Sequence, residues 1–541
     1  MVRFVASRSR AVAVIIAAAV AAVLLVLASQ SPAAHTALAQ GSDFCGSSGG
    51  APIVVKPTMA PSFVFHPGVD FRAGQARADC EAWQQFVYMN WPAKAGTHGV
   101  PDPSRPFGTT NIERTVWVSY DRPENIFVAN PAARRAAPAK LTLRATTETL
   151  GNDLQFGSIT QAGSMGWIVG RKQVRSTDGK LQFSPLTFYD VWVDNDEEDY
   201  IWANKLQYAV AQQACAKAKA GFGLPKGSGD TDCAGKPATY GLGIGAVEVK
   251  AALLDMGPFP MRDGKPDLAA ASKIAPTFFL FPQPVDLVYP PLDKAGGTPI
   301  GTQPNRLMGL VGLHIIRKLP GAQRFLWSTF EHVDNAPDKN APSPGPHTYF
   351  DPSSTQPPNV NPAPPPRCPS TGCYYGPSQL VRDTPLDPEA VQANSAFHAE
   401  IPASSIFRNY ELIDVQWPSL DYALVPGAQK PVDVNFFVPS SGASPTPLPI
   451  PRPLANMTLE SFRQDTTCLF CHSNAPLAVP VSAPAMLAAH PGGKVFLIAA
   501  PRPPLRAGAT PPPQKTGAPY GSDFSFIFRD FALQGTPPPK R

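Results

Sequence analysis

Proline is the residue type that most restricts how this chain can fold. It occupies 65 of the 541 positions, and proline neither donates a hydrogen bond within a sheet nor continues a helix. Long helical bundles and helical repeats are therefore disfavoured. The hydrophobic share is nevertheless 43% and the charged share 16%, which is enough apolar material for a large core. The composition predicts a folded protein with extended proline-rich loops and excludes an intrinsically disordered one.

Segments with β-branched or alternating apolar character predict strands, separated by Gly and Pro. These segments are 115–120, 187–193, 244–253, 277–281, 310–316 and 325–333. Helices are predicted at 75–90, where apolar residues recur at helical spacing, and at 200–220, directly after the acidic run 194–199. We therefore predict an α+β fold, with a large, mainly antiparallel, β-rich domain and a few helices.

Two motifs have a ligand-binding interpretation and a structural one. The acidic run 194–199 could bind calcium, but it lacks the glycine that such a loop uses for its turn. Carboxylates also stabilise the positive end of a helix dipole, which favours a helix start. The glycine-rich segment 241–245 has the spacing of a dinucleotide-binding turn, but a strand pattern follows it where a helix should begin. We favour the helix start and reject dinucleotide binding.

Charged residues are spread along the chain. Lys and Arg number 46 against 41 Asp and Glu, and the formal charge of +5 is gathered into no basic block, so no nucleic-acid partner is expected. Two sets of residues could be acid/base groups or ion pairs within the sheet. They are Glu331 and Asp334 beside His332, and Glu248 with Lys250. We favour ion pairs.

Proline-rich stretches set the predicted domain boundaries. A long loop is expected at 335–377, which is too rich in Pro, Ser and Asn to form a core. A second stretch, 438–454, has the composition of a semi-rigid spacer. We therefore place the large domain at 40–437 and a C-terminal region at 455–541.

Residues 1–39 predict a signal peptide. Arg3, Arg8 and Arg10 precede the uncharged run 11–29, and a small-residue cleavage pattern follows at 37–39. An uncleaved anchor is the alternative, because the run is just long enough to span a bilayer. After cleavage we expect no integral membrane span and a periplasmic or secreted protein.

Cysteine usage agrees with export, since an oxidising compartment favours disulfides. The chain has eight cysteines, and six of them fall as sequence neighbours. The simplest predicted pairs are Cys45 with Cys80, Cys215 with Cys233, and Cys368 with Cys373.

The remaining two cysteines belong to the string Cys468-Leu469-Phe470-Cys471-His472. A Cys-x-x-Cys-His string is the attachment signature for c-type haem. A thiol redox pair or half of a zinc site also uses a Cys-x-x-Cys step. The first should follow a strand and open a helix, however, and the second needs another ligand pair at suitable spacing. We therefore predict one covalent haem c, with Cys468 and Cys471 as thioether residues and His472 as the proximal iron ligand.

Through these three residues the chain resembles the c-type cytochromes. More loosely it is similar to large exported proteins of the cytochrome c family, through segments 83–86, 90–92, 247–250, 312–315 and 327–335. The chain departs from small cytochromes c because the 69 residues after His472 include 14 prolines. We therefore expect the haem segment to pack on the upstream domain, with Phe524, Phe526 and Phe528 as apolar cover.

The distal iron ligand decides between functions. Candidates are Met486 and His490, which follow the motif, and His314 and His332, which lie in predicted strands and could instead be hydrogen-bonded core residues. A strong distal ligand gives an electron carrier, whereas an open position permits peroxide or oxygen chemistry. We predict an exported mono-haem c-type cytochrome that transfers single electrons with a redox partner protein. The alternatives are an exported haem oxidoreductase with a small-molecule substrate on the upstream domain, and a haem-bearing binding or sensor module.

Overall fold

The computed structural model describes most of the predicted large domain and parts of the C-terminal region. The described residues are 44–47, 55–58, 71–129, 143–144, 168–172, 174–175, 181–183, 185–219, 222–227, 229–287, 301–319, 325–340, 345–360, 377–418, 436–437, 453–465, 468, 472, 475, 477–478, 480, 525–535 and 537. Within them the largest element is an eight-stranded sheet.

The strands are numbered along the chain. They are β1 (Leu143–Arg144), β2 (Val174–Arg175), β3 (Leu181–Phe183), β4 (Thr187–Val193), β5 (Asp230–Thr231), β6 (Pro237–Ala238), β7 (Val247–Pro258), β8 (Met261–Arg262), β9 (Lys265–Pro266), β10 (Leu280–Leu287), β11 (Gly301–Lys318), β12 (Phe325–His332), β13 (Tyr410–Pro418) and β14 (Phe436–Phe437). Three pairs, β2 with β3, β5 with β6 and β8 with β9, are separate two-stranded ribbons. The other eight strands form the sheet.

Strand β11 lies at the centre of the sheet. One edge of β11 pairs with β7, and the other pairs first with β10 and then with β12. Strand β4 extends the sheet beyond β7, while β13 and then β14 extend it beyond β12. All of these pairs are antiparallel, and only the pair of β1 with β10 is parallel. The predicted α+β class with a mainly antiparallel sheet is therefore confirmed.

The helices are short, except for two that pack on the sheet. They are α1 (Phe44–Ser47), α2 (Phe71–Met89), α3 (Pro123–Ile126), α4 (Asn195–Ala203), α5 (Ala209–Ala218), α6 (Leu268–Ser272), α7 (Pro388–Glu400) and α8 (Ile527–Asp530). Helix α7 begins where Pro388 occupies its first turn and the Asp387 side chain accepts the Glu389 N–H. Helix α2 confirms the helix predicted at 75–90.

Helices α2 and α7 cover what we call the first face of the sheet. Trp83 of α2 stacks on Phe397 of α7, with ring centroids 3.7 Å apart, and meets Phe330 of β12 at 4.9 Å. The indole N–H of Trp83 donates to Asn394 Oδ1 at 2.9 Å. Burial of these rings places the main hydrophobic core between the two helices and the sheet.

Two local predictions are wrong. Segment 115–120 is not a strand, because Trp117–Ser119 form a turn of 3-10 helix. The Trp117 indole bonds to Asn90 Oδ1 at 3.0 Å and packs edge-on against Trp192, so tertiary contacts override its strand propensity. Segment 200–220 is not one helix either. Lys205 adopts a φ of 58° between α4 and α5, which interrupts the helical path.

The acidic run 194–199 and the glycine-rich segment 241–245 are joined by hydrogen bonds. Asp194 caps α4 by accepting the Glu197 N–H. The Asp196 carboxylate accepts N–H groups from Leu242 at 2.5 Å and Gly245 at 2.8 Å. Strand β7 follows the glycines, as predicted. Through these hydrogen bonds the Asp196 carboxyl group joins α4 to the start of β7. Burial raises its pKa to about 6.

Two of the three predicted disulfides are confirmed. Cys45 pairs with Cys80 and Cys215 with Cys233, at Cα–Cα distances of 5.6 and 4.9 Å. The first links α1 to α2, and the second links α5 to the chain beyond it. The pair at 368 and 373 and the signal peptide at 1–39 lie outside the described residues.

The described parts of the proline-rich loop contain neither helix nor strand. They nevertheless reach the core, because Tyr349 is fully buried and its hydroxyl lies 2.6 Å from that of Thr187 on β4. This loop therefore packs on the second face of the sheet, opposite α2 and α7.

Candidate functional site

Residues 453–465, which lead into the Cys-x-x-Cys-His string, dock on the second face of the sheet. Asn456 Nδ2 donates to Thr329 Oγ1 at 3.0 Å and to a backbone carbonyl of β12 at 2.7 Å. The Thr458 hydroxyl donates to Asn456 Oδ1 at 2.7 Å. A Cβ atom at Gly312 would lie 2.1 Å from Thr458 Oγ1. Glycine on β11 therefore permits the close approach of this segment.

Two cross-strand rows of side chains form the second face beneath this segment. Residues paired across strands share a face, and the next row on that face is two residues away, or about 6.6 Å. The Trp327 row consists of Glu248, Ile316, Trp327 and Gln416. The His314 row consists of Lys250, His314 and Thr329.

Two residues of the motif fall within the described part of the chain, and both lie over the Trp327 row. Cys468 is 7% exposed, and its backbone N–H donates to Gln416 Oε1 at 3.1 Å. His472 is also 7% exposed, and its ring lies 5.7 Å from Trp327 and 5.2 Å from Phe526 between centroids. Cys471 lies outside the described residues. The thiol side chain and the imidazole are thus placed in one apolar environment.

That environment is a hydrophobic cluster distinct from the main core. Members from the sheet, α4, the C-terminal region and the motif include Ile316, Phe325, Trp327, Ile413, Tyr200, Leu454, Cys468, Leu477, Ile527 and Phe528. Of the residues that we expected as apolar cover, Phe528 belongs to this cluster and Phe526 contacts the His472 ring. Phe524 lies outside the described residues.

The four residues predicted as possible distal iron ligands lie in different parts of the chain. His314 is on the second face, 2% exposed, with Nε2 3.5 Å from Glu460 Oε1. It therefore shares a face with His472, one row away. His332 lies on the first face and stacks on Phe278 at 3.9 Å. Met486 and His490 lie outside the described residues.

Both ring nitrogens of His332 are bonded to the backbone. Nε2 lies 2.9 Å from Thr277 O, and Nδ1 accepts the Asp334 N–H at 3.1 Å. Burial lowers the pKa of His332 to about 4, so the ring is neutral. This geometry matches the hydrogen-bonded core role and leaves His314 as the candidate that faces the motif.

A buried charge cluster next to the site was not found from the sequence. Glu331 and Glu411 are cross-strand partners on the second face, and Glu331 forms an ion pair with Arg382. Glu331 Oε2 also accepts the Met457 N–H at 2.7 Å. Burial raises the pKa of Glu331 to about 7 and that of Glu411 to about 8. Glu331 therefore forms an ion pair, as predicted, but its partner comes from a distant loop and not from the sheet.

Arg382 also binds residues 453–465, the segment that precedes the motif. Its Nη1 donates to Ala455 O at 3.1 Å and its Nε lies 3.1 Å from Asp338 Oδ1. No local pattern distinguishes this arginine from others in the proline-rich loops. The alternation of side chains along β12 and β13 shows which residues share a face. It predicts that Glu331 and Glu411 are partners only when the register between the two strands is known.

The chemistry of Cys468 and His472 is compatible with a covalently attached haem. Haem attachment requires thiols and an adjacent imidazole in an apolar setting. Cys468 and His472 are both buried, and the His472 ring contacts Trp327 and Phe526. Within the described ranges no group of three or more His, Cys, Asp or Glu is arranged to hold a metal ion. The motif itself offers the His472 imidazole as the predicted iron ligand.

Comparison with protein-family models, curated proteins and solved structures finds no significant match for this chain. Among the helices that the structure describes, none combines the length and the apolar character needed to cross a bilayer.

Proposed function

We propose that this protein is an exported mono-haem c-type cytochrome that passes single electrons. The observation that carries the proposal is the burial of both Cys468, a member of the apolar cluster on the second face of the sheet, and His472, whose ring contacts Trp327 of the same cluster. A thiol pair used for disulfide exchange needs access to its substrate, whereas a haem ligand benefits from exclusion of water.

Each residue of the site has a role in this proposal. Cys468 and Cys471 hold the porphyrin through thioether bonds, and His472 binds the iron. Trp327 and Phe526 restrict the orientation of the His472 ring, because both lie within 5.7 Å of it. When bound, the haem supplies a one-electron iron couple whose potential depends on ligand and burial.

Export into the periplasm or beyond the cell is part of the proposal. Its support is the pair of disulfides at Cys45–Cys80 and Cys215–Cys233, since such bonds persist in oxidising compartments. Covalent attachment suits that location because it prevents loss of the cofactor. The electron-transfer partner is proposed to be a second redox protein.

A haem oxidoreductase is the second candidate, and the His314 row favours it. His314 and Glu460 form a buried pair at 3.5 Å, and Lys250 is the cross-strand neighbour of His314. Together they offer groups that can hold or deliver protons one row from His472. An open distal position would be required for this function.

A peroxidase-activity stain of the denatured protein on a gel tests the main proposal. Covalent haem stays with the chain and gives colour. We expect colour from the native sequence and none from the double variant Cys468→Ser/Cys471→Ser. The matched control is Cys215→Ser/Cys233→Ser, which removes two thiols elsewhere and should keep its colour. An uncoloured native protein refutes the proposal.

Carbon monoxide distinguishes the two candidate functions. A carrier with a strong distal ligand shows low-spin iron and no rapid spectral change on adding the gas, whereas an open site binds it at once. Replacement of His314 by Ala should create high-spin iron if this residue is the distal ligand. His332→Ala is the control on the opposite face, and it should leave the iron spectrum unchanged.

A further inference from the structure

Gln212 is a fully buried side chain on α5 that joins three separate segments. Its Nε2 donates to Leu206 O at 2.8 Å and to Phe528 O at 2.9 Å. Its Oε1 accepts the Ala478 N–H at 3.0 Å. Ala478 lies six residues beyond His472. Both amide protons and the amide oxygen are therefore used to hold backbone groups.

The C-terminal residues 525–535 pass over the motif and end on α5. Phe526 contacts the ring of His472 at 5.2 Å, and Phe528 packs against Phe222 at 4.9 Å. Leu533 then forms a parallel bridge with Tyr208, directly before α5, and donates its N–H to Gln207 O at 2.7 Å. This segment, which we call the C-terminal cover, closes one side of the imidazole.

We propose that Gln212 is the positioning residue that fixes the C-terminal cover over His472, and that this cover raises the reduction potential of the haem iron. The proposal deepens the proposed function and rests on it. A buried side chain bonded to three segments fixes their relative positions, because breaking any of these bonds leaves a buried backbone group unpaired.

Loss of Gln212 should admit water beside Phe528 and Ala478, since these two backbone groups would seek new partners. Water close to the imidazole stabilises the additional positive charge of oxidised iron, so the potential falls. A residue with a merely structural role would change stability without this change in potential.

The test uses full-length, haem-containing protein with Gln212→Met, which preserves approximate side-chain volume. We expect unchanged haem content, a lower midpoint potential, and faster amide hydrogen exchange at 475–480 and 525–535. Gln207→Met is the matched control, because Gln207 Oε1 has no hydrogen-bond partner in the described structure. Gln207→Met should leave the potential unchanged. A Gln212→Met protein with lower stability and the native potential overturns the proposal.

Leu533→Pro supplies a second route if Gln212→Met does not accumulate. It removes the N–H that the cover donates to Gln207 O just before α5, at a partly exposed position. The same fall in potential is expected, and an unchanged potential refutes the role of the cover.

Hydrogen exchange separates this inference from the proposed function. A native protein without covalent haem refutes the proposed function and, with it, the effect on potential. In that same protein, faster exchange at both segments in Gln212→Met alone still supports the holding role of Gln212. Equal exchange in both glutamine variants refutes that role.

Discussion

Gly312 is the position where one added methyl group should separate the motif-bearing segment from the sheet. A Cβ atom there would lie 2.1 Å from Thr458 Oγ1 and 3.0 Å from Asn456 Oδ1. Rotation of Thr458 could relieve the first contact, but it would break the hydrogen bond to Asn456 Oδ1. The segment must therefore move away from β11, and the Asn456 bond to Thr329 lengthens.

The expected loss of stability in Gly312→Ala is about 3 kcal/mol. Overpacking a well-packed interior costs roughly 1–3 kcal/mol, and a weakened buried hydrogen bond adds about 1 kcal/mol. Urea unfolding, followed by tryptophan fluorescence, measures the change. Faster hydrogen exchange at 453–465 should accompany it, because the docked segment is the part displaced.

Gly309→Ala is the matched control on the same strand. Its Cβ atom would lie 2.3 Å from Met256 Cε, but this methyl group ends a flexible, partly exposed side chain that can rotate away. We expect a cost below about 1 kcal/mol. Equal losses in the two variants, or no change in exchange at 453–465 in Gly312→Ala, would refute the reasoning.

Three further predictions concern buried charges. Because burial raises the pKa of Glu411 to about 8, its stabilising contribution is complete below its unfolded pKa and is lost as pH rises through 8. Glu411→Gln should therefore flatten the pH dependence of the unfolding midpoint between pH 5 and 9. Arg382→Met leaves Glu331 without its cation and should cost about 3–5 kcal/mol at pH 8, and less at pH 5, where Glu331 is protonated. Asp196→Ala leaves several loop N–H groups unpaired and should cost about 2–4 kcal/mol in urea unfolding.

For each of these variants, one result would contradict the prediction. An unchanged pH profile in Glu411→Gln would show that this carboxyl group does not titrate with folding. A loss from Arg382→Met that is the same at pH 5 and pH 8 would assign the effect to packing. For the glycine-rich segment the control is Asp199→Ala, whose carboxylate accepts the N–H of Gly241, an exposed residue. It should cost less than Asp196→Ala.

Local patterns were sufficient for much of the fold. The strands at 187–193 and 325–332 and the helix over 75–89 follow from side-chain periodicity. The prediction at 115–120 failed because Trp117 meets Asn90 and Trp192, which are contacts that a local window does not contain. The break at Lys205 likewise has no local glycine or proline to announce it.

The candidate site, like the fold, is determined partly by local sequence and partly by tertiary contacts. The sequence by itself determines the Cys-x-x-Cys-His string, and pairing the cysteines as sequence neighbours predicts two disulfides that the structure contains. Only the tertiary structure decides that His314 faces the motif while His332 faces the opposite core, and that Gln212 and Arg382 hold the surrounding backbone. The physical reason is strand register: a shift of one residue exchanges the two faces of a strand, and buried polar partners come from segments brought together only by folding.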